Sequence, residues 1–212
     1  MEKGNLVEFR LEDTYVLAIA DRPEGKKYWI VIDETEKAHT IRPKDVTYAI
    51  TDQPYTAAKV KAFKGELEDF LDPENLEVAW ELLVDDGGST TPKKLAEVLF
   101  SDDGTVPCYA AHTLLSTDKL FFKQKGDRYE PRPRNQVAEM RHQQEMAEQR
   151  AREQEGFLQV IAQVRAQEIS AEDAFADPAY RSRIELIERF VVQGDDMKNR
   201  GAALDLLISW CS

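Results

Sequence analysis

The sequence predicts an α+β chain of several domains, in which a small SH3-like or OB-like β-barrel is followed by a winged helix-turn-helix and then by C-terminal helices. Three observations carry that expectation. Runs rich in Val, Ile, Tyr, Phe and Thr crowd residues 5–50 with only turn chemistry between them. From about residue 74 the apolar period becomes helical, and three short helical patterns lead straight into a hairpin. Beyond Arg134 the chain turns rich in Gln and Glu and poor in apolar residues until Phe157.

Residues 1–52 form the predicted barrel. Its strands are "NLVEFRL", "TYVLAIAD", "KKYWIVID", "KAHTIRP" and "DVTYAI", the first four separated by "EDT", "RPEG" and "ETE". Strands this closely spaced, with no helix between them, suit a closed or nearly closed barrel. The "RPKDV" step fits a one-turn 3₁₀ connection of the SH3-like kind. Residues 53–71 read as a linker with a short helix.

Residues 72–133 form the predicted winged helix-turn-helix. In "DPENLEVAWELLVDDGG" one face gathers Leu76, Ala79, Trp80 and Leu83; Pro73 and Glu74 open the helix, and Gly87 and Gly88 close it. "TTPKKLAEVLF" starts again with Thr91 as N-cap and Pro92 at the first helical position, and sets Leu95, Val98 and Leu99 on one side. "PCYAAHTLLS" is the third helix, and a hairpin follows it, which is the order of a winged helix. Residues 134–212 are expected to be helical. A long exposed first helix packs only through residues 157–164, and "SAEDAFADPAYRSRIELIERFVVQG" and "DDMKNRGAALDLLISW" supply two more amphipathic helices.

Of the 212 residues 42 % are apolar, enough for real cores, and the net charge is −12. Acids outnumber bases in residues 1–55, 56–135 and 136–212 alike, so any anion-binding site must be a local patch. Cys108 and Cys211 are far apart and form no Cys-x-x-Cys pair, as suits unpaired thiols in a reducing cytosol. The opening "MEKGNLVEFRLED" lacks the apolar core of a secretory signal, and no apolar run approaches the roughly 18 residues that span a bilayer. The chain is therefore expected to be cytoplasmic, with no membrane partner. Its end at Ser212, directly after an apolar stretch, is what a piece of a longer protein would show.

No catalytic constellation is legible. His39, His112 and His142 fall in three different units, none with the neighbours of a zinc site or a triad. "DDGGST" lacks the Lys-Ser/Thr of a phosphate loop, "SDDG" has the wrong spacing for calcium, and "QGDD" reads as the end of one helix and the cap of the next. The hairpin "DKLFFKQKGDRYEPRPRN" carries more information, with six Lys and Arg against three acids. Strand alternation places Lys119, Phe121, Lys123 and Lys125 on one side, and Arg128, Glu130 and Arg132 together on the return. Cations neutralise phosphates and a ring offers a stacking platform, so this face suits single-stranded nucleic acid. The alternative is that Phe121 packs on the helices and the cations only keep the hairpin soluble. "PCYAAHTLLS" has no Arg, Lys, Asn or Gln to read base edges, which argues against sequence-specific duplex recognition. In the barrel, Arg22, Lys26 and Lys27 cluster beside Tyr28 and Trp29, as a second binding loop or as the surround of a core Trp29.

"MEKGNLVEFRL", "ADRPEGKKYWIVID", "LEVAWELL", "TPKKLAEVLFSD" and above all "YAAHTLLSTDKLFFKQKGDRYEPRP" resemble the N-terminal region of the cyanobacterial and plastid branch of the ribonuclease II/R exoribonucleases. The resemblance implies an enzyme that degrades RNA processively from its 3′ end, using Mg²⁺ held by clustered aspartates in a central catalytic domain. It implies too that N-terminal barrel and winged-helix modules feed single-stranded RNA to that domain. The sequence departs from the family in lacking the catalytic domain, so no catalytic residue is carried over and this chain alone is expected to be inactive. The expectation is thus an RNA-engaging region with Lys119, Phe121, Lys123, Lys125, Arg128, Arg132, Lys26 and Lys27 as contacts. It would hold no metal or small-molecule cofactor itself, and its partners would be single-stranded RNA and the missing catalytic domain. The rival readings are a protein-docking scaffold built on the winged helix and the Gln-rich helix over residues 135–154, and a DNA-binding regulator.

Overall fold

The computed structural model describes residues 1–204 except Phe175, Asp177, Asp195, Asp196, Asn199 and Ala202. It divides into two compact units, Met1–Val137 and Ala138–Ser212. Five strands open the first unit: β1 (Leu6–Leu11), β2 (Thr14–Glu24), β3 (Tyr28–Asp33), β4 (Ala38–Ile41) and β5 (Val46–Ile50). They make one antiparallel sheet in the order β4-β3-β2-β1-β5. A 3₁₀ turn, Pro43–Asp45, leads from one edge strand to the other, closed by Asp45, whose carboxylate accepts from the Arg42 backbone N–H and guanidinium. Register shifts at Glu8/Phe9 and Ala20/Arg22 add the local bend a barrel needs.

Helices α1 (Ala57–Glu68), α2 (Glu74–Leu83), α3 (Pro92–Phe100) and α4 (Thr105–Thr117) follow, then β6 (Phe122–Lys125) and β7 (Arg128–Pro131). Because side chains alternate along a strand, β1 is buried on both faces. Val7 and Phe9 join Ala18, Val31 and Ile41 in the barrel core. Leu6, with Leu17 and Ile50, turns the other way, under Val60, Phe63 and Leu67 of α1 and Tyr109 and Ala110 of α4. The expected linker helix is therefore a packed element that covers this face of the barrel side by side with α4. Gly4 holds the junction: its carbonyl accepts from Tyr55 N–H at 2.8 Å, its φ is +90°, and a Cβ there would meet Pro54 Cβ at 3.0 Å.

The winged helix has its own core, made by Leu76, Ala79 and Trp80 of α2, Leu95 and Ala96 of α3, and Cys108, Ala111, Leu114 and Leu115 of α4. Thr91 caps α3 as its sequence predicted, accepting from Lys94 N–H, with Pro92 in the first turn. Val98, expected on the packed side, is exposed; the buried side of α3 is Leu95 and Ala96. Thr90 bridges to Tyr129 through two backbone hydrogen bonds of 2.7 and 2.9 Å, an isolated β-bridge that ties the start of α3 to the two-stranded hairpin.

In the second unit α5 (Arg134–Arg165), which begins before the unit boundary, is exposed through most of residues 138–155 and packs from Phe157 on. Phe157 and Ile161 meet Ile187, Tyr180 and Ile184. The single helix expected over "SAEDAFADPAYRSRIELIERFVVQG" is instead two, α6 (Ala171–Ala174) and α7 (Pro178–Gln193). Pro178 lacks the N–H that an unbroken helix would need there and suits a first turn. Asp195 and Asp196 of "QGDD", Cys211 and most of the helix expected from "DDMKNRGAALDLLISW" lie outside the described residues. Among the described residues no helix is long and apolar enough to cross a membrane.

Candidate nucleic-acid interface

The wing is set by Asp118. Its carboxylate oxygens accept the backbone N–H groups of Leu120, Phe121 and Phe122, the last at 2.6 Å. This turn reverses the chain after α4, so β6 starts at Phe122 and strict alternation does not reach back to Lys119. Phe121 is consequently 8 % exposed, its ring 5.5 Å from that of Trp80. It is a core residue and no stacking platform, which corrects the expectation from strand periodicity. Arg132 leaves the exposed face too. Its N–H donates to the Phe121 carbonyl at 2.8 Å, and its side chain is half-buried with Nε enclosed and unpaired. Trp80 Nε1 donates to the Arg132 carbonyl at 2.7 Å and fixes that strand end.

The remaining cations do share a face. Lys123 pairs with Glu130 and Lys125 with Arg128 across the hairpin, while Phe122, Gln124, Tyr129 and Pro131 occupy the other side. Lys119, Lys123, Lys125 and Arg128 are all exposed. Among the described residues Lys119 and Lys123 make no side-chain hydrogen bond or ion pair, Lys125 meets Glu130 at 2.9 Å, and Arg128 reaches Ser89 at 3.1 Å. Like charges directly opposite one another destabilise a hairpin. The Lys125–Arg128 pair at the tip is thus a local cost, offset in part by Glu130.

The third helix of the winged domain is enclosed on two sides. Cys108, Ala111, Leu114 and Leu115 face the winged core, while Tyr109 and Ala110 face the barrel and α1. Between them runs a buried polar network centred on Glu8 of β1. Tyr109 Oη donates to Oε2 at 2.6 Å, Thr47 Oγ1 donates to Oε1 at 2.5 Å, and His112 Nε2 lies 2.9 Å from Oε1. Burial pushes the Glu8 carboxyl up, but the His112, Thr47 and Tyr109 hydrogen bonds outweigh it and hold it below its ordinary range. Burial first, then the Glu8 charge, pushes the Tyr109 phenol far up, so it stays a donor. A helix clamped in this way leaves outside its packed sides only the strip of Thr113, Ser116 and Thr117, which has no Arg, Lys, Asn or Gln to read a DNA major groove. The sequence carried one signal of the network, a lone carboxylate inside the apolar run "LVEFRL".

On the barrel, Lys26 and Lys27 are exposed in the β2–β3 turn, Arg22 pairs with Asp21 at 2.6 Å, and Trp29 is half-buried. His39 lies 2.7 Å from Asp33, and that contact is the main reason the Asp33 carboxyl falls far below the usual carboxylate range. Neither histidine pair was legible from spacing. Among the described residues no group of three or more His, Cys, Asp or Glu side chains is placed to hold a metal ion.

Three family models match consecutive stretches of the chain: the CSD-like barrel domain of ribonuclease II over residues 1–60, the ribonuclease II winged helix domain over 62–136, and the double HTH domain of ribonuclease II over 137–209. An uncharacterized ribonuclease from Synechocystis is 44 % identical over 207 residues, covering 98 % of this chain and 30 % of the relative. A protein from Arabidopsis thaliana called ribonuclease II, chloroplastic/mitochondrial, is 31 % identical over 219 residues, covering 96 % of this chain and 27 % of the relative. The chain thus spans less than a third of the length of these curated relatives. No solved structure matches it.

Proposed function

The chain belongs to the ribonuclease II family, and on that premise we propose that it is the RNA-engaging N-terminal region of a longer cytoplasmic 3′–5′ exoribonuclease. The observation that carries this reading is the exposed cation face of the wing, Lys123, Lys125 and Arg128 with Lys119 nearby, beside a third helix that is sequestered. Cations on a hairpin track phosphates without reading bases, as a processive enzyme requires. Lys26 and Lys27 supply a second cationic point on the barrel. Phosphodiester hydrolysis and its Mg²⁺ would come from the rest of the longer protein.

Fluorescent single-stranded RNA titrated at several salt concentrations tests the proposal. With roughly four to six phosphates engaged, log K falls against log salt with a slope of about −3 to −4. The triple variant Lys123→Glu, Lys125→Glu, Arg128→Glu should lose binding and keep its fold, since all three side chains are exposed. Absence of RNA binding by the wild-type chain at low salt would defeat the reading. The rival, protein docking, has one observation in its favour: Val78 and Leu82, one turn apart on α2, are 53 % and 59 % exposed.

A further inference from the structure

We infer that the solvent face of α2, built on Val78 and Leu82, is a docking surface for a cationic amphipathic helix of a partner protein; it is additional to the RNA-engaging face and does not depend on it. α2 is apolar on two sides. Leu76, Ala79 and Trp80 face the winged core. Val78 and Leu82, one turn apart on the other side, are each more than half exposed. Neither helps to close the core, and Val is a poorer helix former than the Lys, Glu or Gln that suits an exposed position. Side chains four apart stand one above the other on a helix, so the two make a single ridge. Such a ridge packs into the groove between side-chain rows of a second helix. Val191 and Val192 of α7 are more exposed still but form no ridge, because sequence neighbours on a helix point about 100° apart.

The charge on this face selects its occupant. Glu74 and Glu81, one turn before Val78 and one turn after it, are exposed on the same side of the helix. Asp85, just beyond the helix end, is held by Arg134 at 3.0 Å. Glu74 and Glu81 make no side-chain hydrogen bond or ion pair among the described residues. Glu74 sits in the first turn, where a negative charge suits the helix dipole. Glu81 lies near the opposite end, where the dipole opposes it, so the fold itself gives no reason for that carboxylate. Two uncommitted acids beside an apolar ridge repel the phosphates of RNA. Two copies of this chain meeting through the same face would set Glu against Glu at the rim. A partner helix with Lys or Arg beside its own apolar row satisfies both the ridge and the acids.

The test titrates the whole chain with a fluorescent helical peptide of about 20 residues, with Leu along one face and Lys beside it, and with a control in which every Lys is Glu. The Lys peptide should bind and the Glu peptide should not. The double variant Val78→Ala, Leu82→Ala keeps helix propensity and should weaken binding by about 10-fold or more. Glu74→Gln with Glu81→Gln should weaken it by about 5-fold and lessen its salt dependence. Val191→Ala with Val192→Ala should change nothing. No binding of the Lys peptide would overturn the inference. So would binding that survives Val78→Ala, Leu82→Ala undiminished, which is charge attraction to an acidic chain and no more. Self-association of wild type that those alanines abolish would assign the face to a second copy, and RNA affinity that falls with them would assign it to RNA. Peptide binding that disappears in the longer protein would assign it to that protein's own further domains. Each of these three results also refutes a separate partner.

Discussion

Replacing Glu8 should be the most destabilising single polar change in the first unit. The carboxylate is 3 % exposed and faces three partners at 2.5 to 2.9 Å, with Thr47 on β5 and Tyr109 and His112 on α4. In Glu8→Ala the partners lose their acceptor inside a packed interface. Each unmatched buried group costs about 1–3 kcal/mol, and removing one member of a buried charged network about 3–5 kcal/mol in all. We expect Glu8→Ala to lower unfolding free energy by about 3–5 kcal/mol in urea titration. That is a large part of the 5–15 kcal/mol or so of a typical domain. Glu8→Gln keeps the shape but turns an amide N–H₂ toward a donor, and should lose about 2–3 kcal/mol. The pH dependence has a definite sign. A carboxyl held below its ordinary value of 4.5 in the fold contributes stability that is fully present above that value. The contribution fades as pH falls from there through the depressed folded pKa. Wild type should lose stability relative to Glu8→Gln across that acid window and nowhere near neutrality. A loss below about 1 kcal/mol in Glu8→Ala, or parallel acid profiles for wild type and Glu8→Gln, would refute the account.

Three other expectations follow from the wing. Phe121→Ala should cost about 3–5 kcal/mol in chemical denaturation, and under fully folded conditions its RNA affinity should match wild type, as befits a core ring and not a platform. Asp118→Ala frees three N–H groups at the turn and should cost about 2–3 kcal/mol, with hydrogen exchange rising first at Phe121 and Phe122. Lys125→Thr removes both a like-charge pair with Arg128 and an exposed ion pair with Glu130. These nearly cancel, so stability should move by no more than about 0.5 kcal/mol, whereas the salt slope of RNA binding should shrink by about 0.7.

Most of the first unit was legible because its signals are local. Thr91 and Pro92 start α3, the "RPKDV" step makes the 3₁₀ turn, and alternation assigns Lys123, Lys125 and Arg128 to one face. What was not legible depends on partners distant in sequence. Alternation carried back through residues 119–121 exposed Phe121 on paper, but Asp118 captures the backbone there and the strand begins one residue later. Val98 follows the helical period of Leu95, yet the packed side of α3 runs through Leu95, Ala96, Leu99 and Phe100 and leaves Val98 exposed. Glu8 finds Tyr109 and His112 about a hundred positions away, on a helix whose sequence gave no sign of a second covered side.

The covering of α4 on that second side also bears on why an acidic protein should present a cationic wing. A winged helix that reads duplex DNA needs its third helix free, with the wing as an accessory. Here Tyr109, Ala110 and His112 are spent on the barrel, and the strip left outside the core is mostly hydroxyl-bearing: Thr113, Ser116 and Thr117, each donating to carbonyls of its own helix. No side chain on that strip can make the bidentate contacts that identify a base. Any anionic polymer therefore meets local cations or none, because the net charge of −12 repels it elsewhere. The cationic points without a carboxylate partner among the described residues include Lys119, Lys123 and Arg128 on the wing and Lys26 and Lys27 on the barrel turn. Repulsion around isolated cationic points favours a flexible single strand, which can bend to touch them, over a stiff duplex, which cannot. Single-stranded RNA should accordingly outcompete duplex of equal charge at every salt concentration, and a preference for duplex would overturn the view of α4 as sequestered.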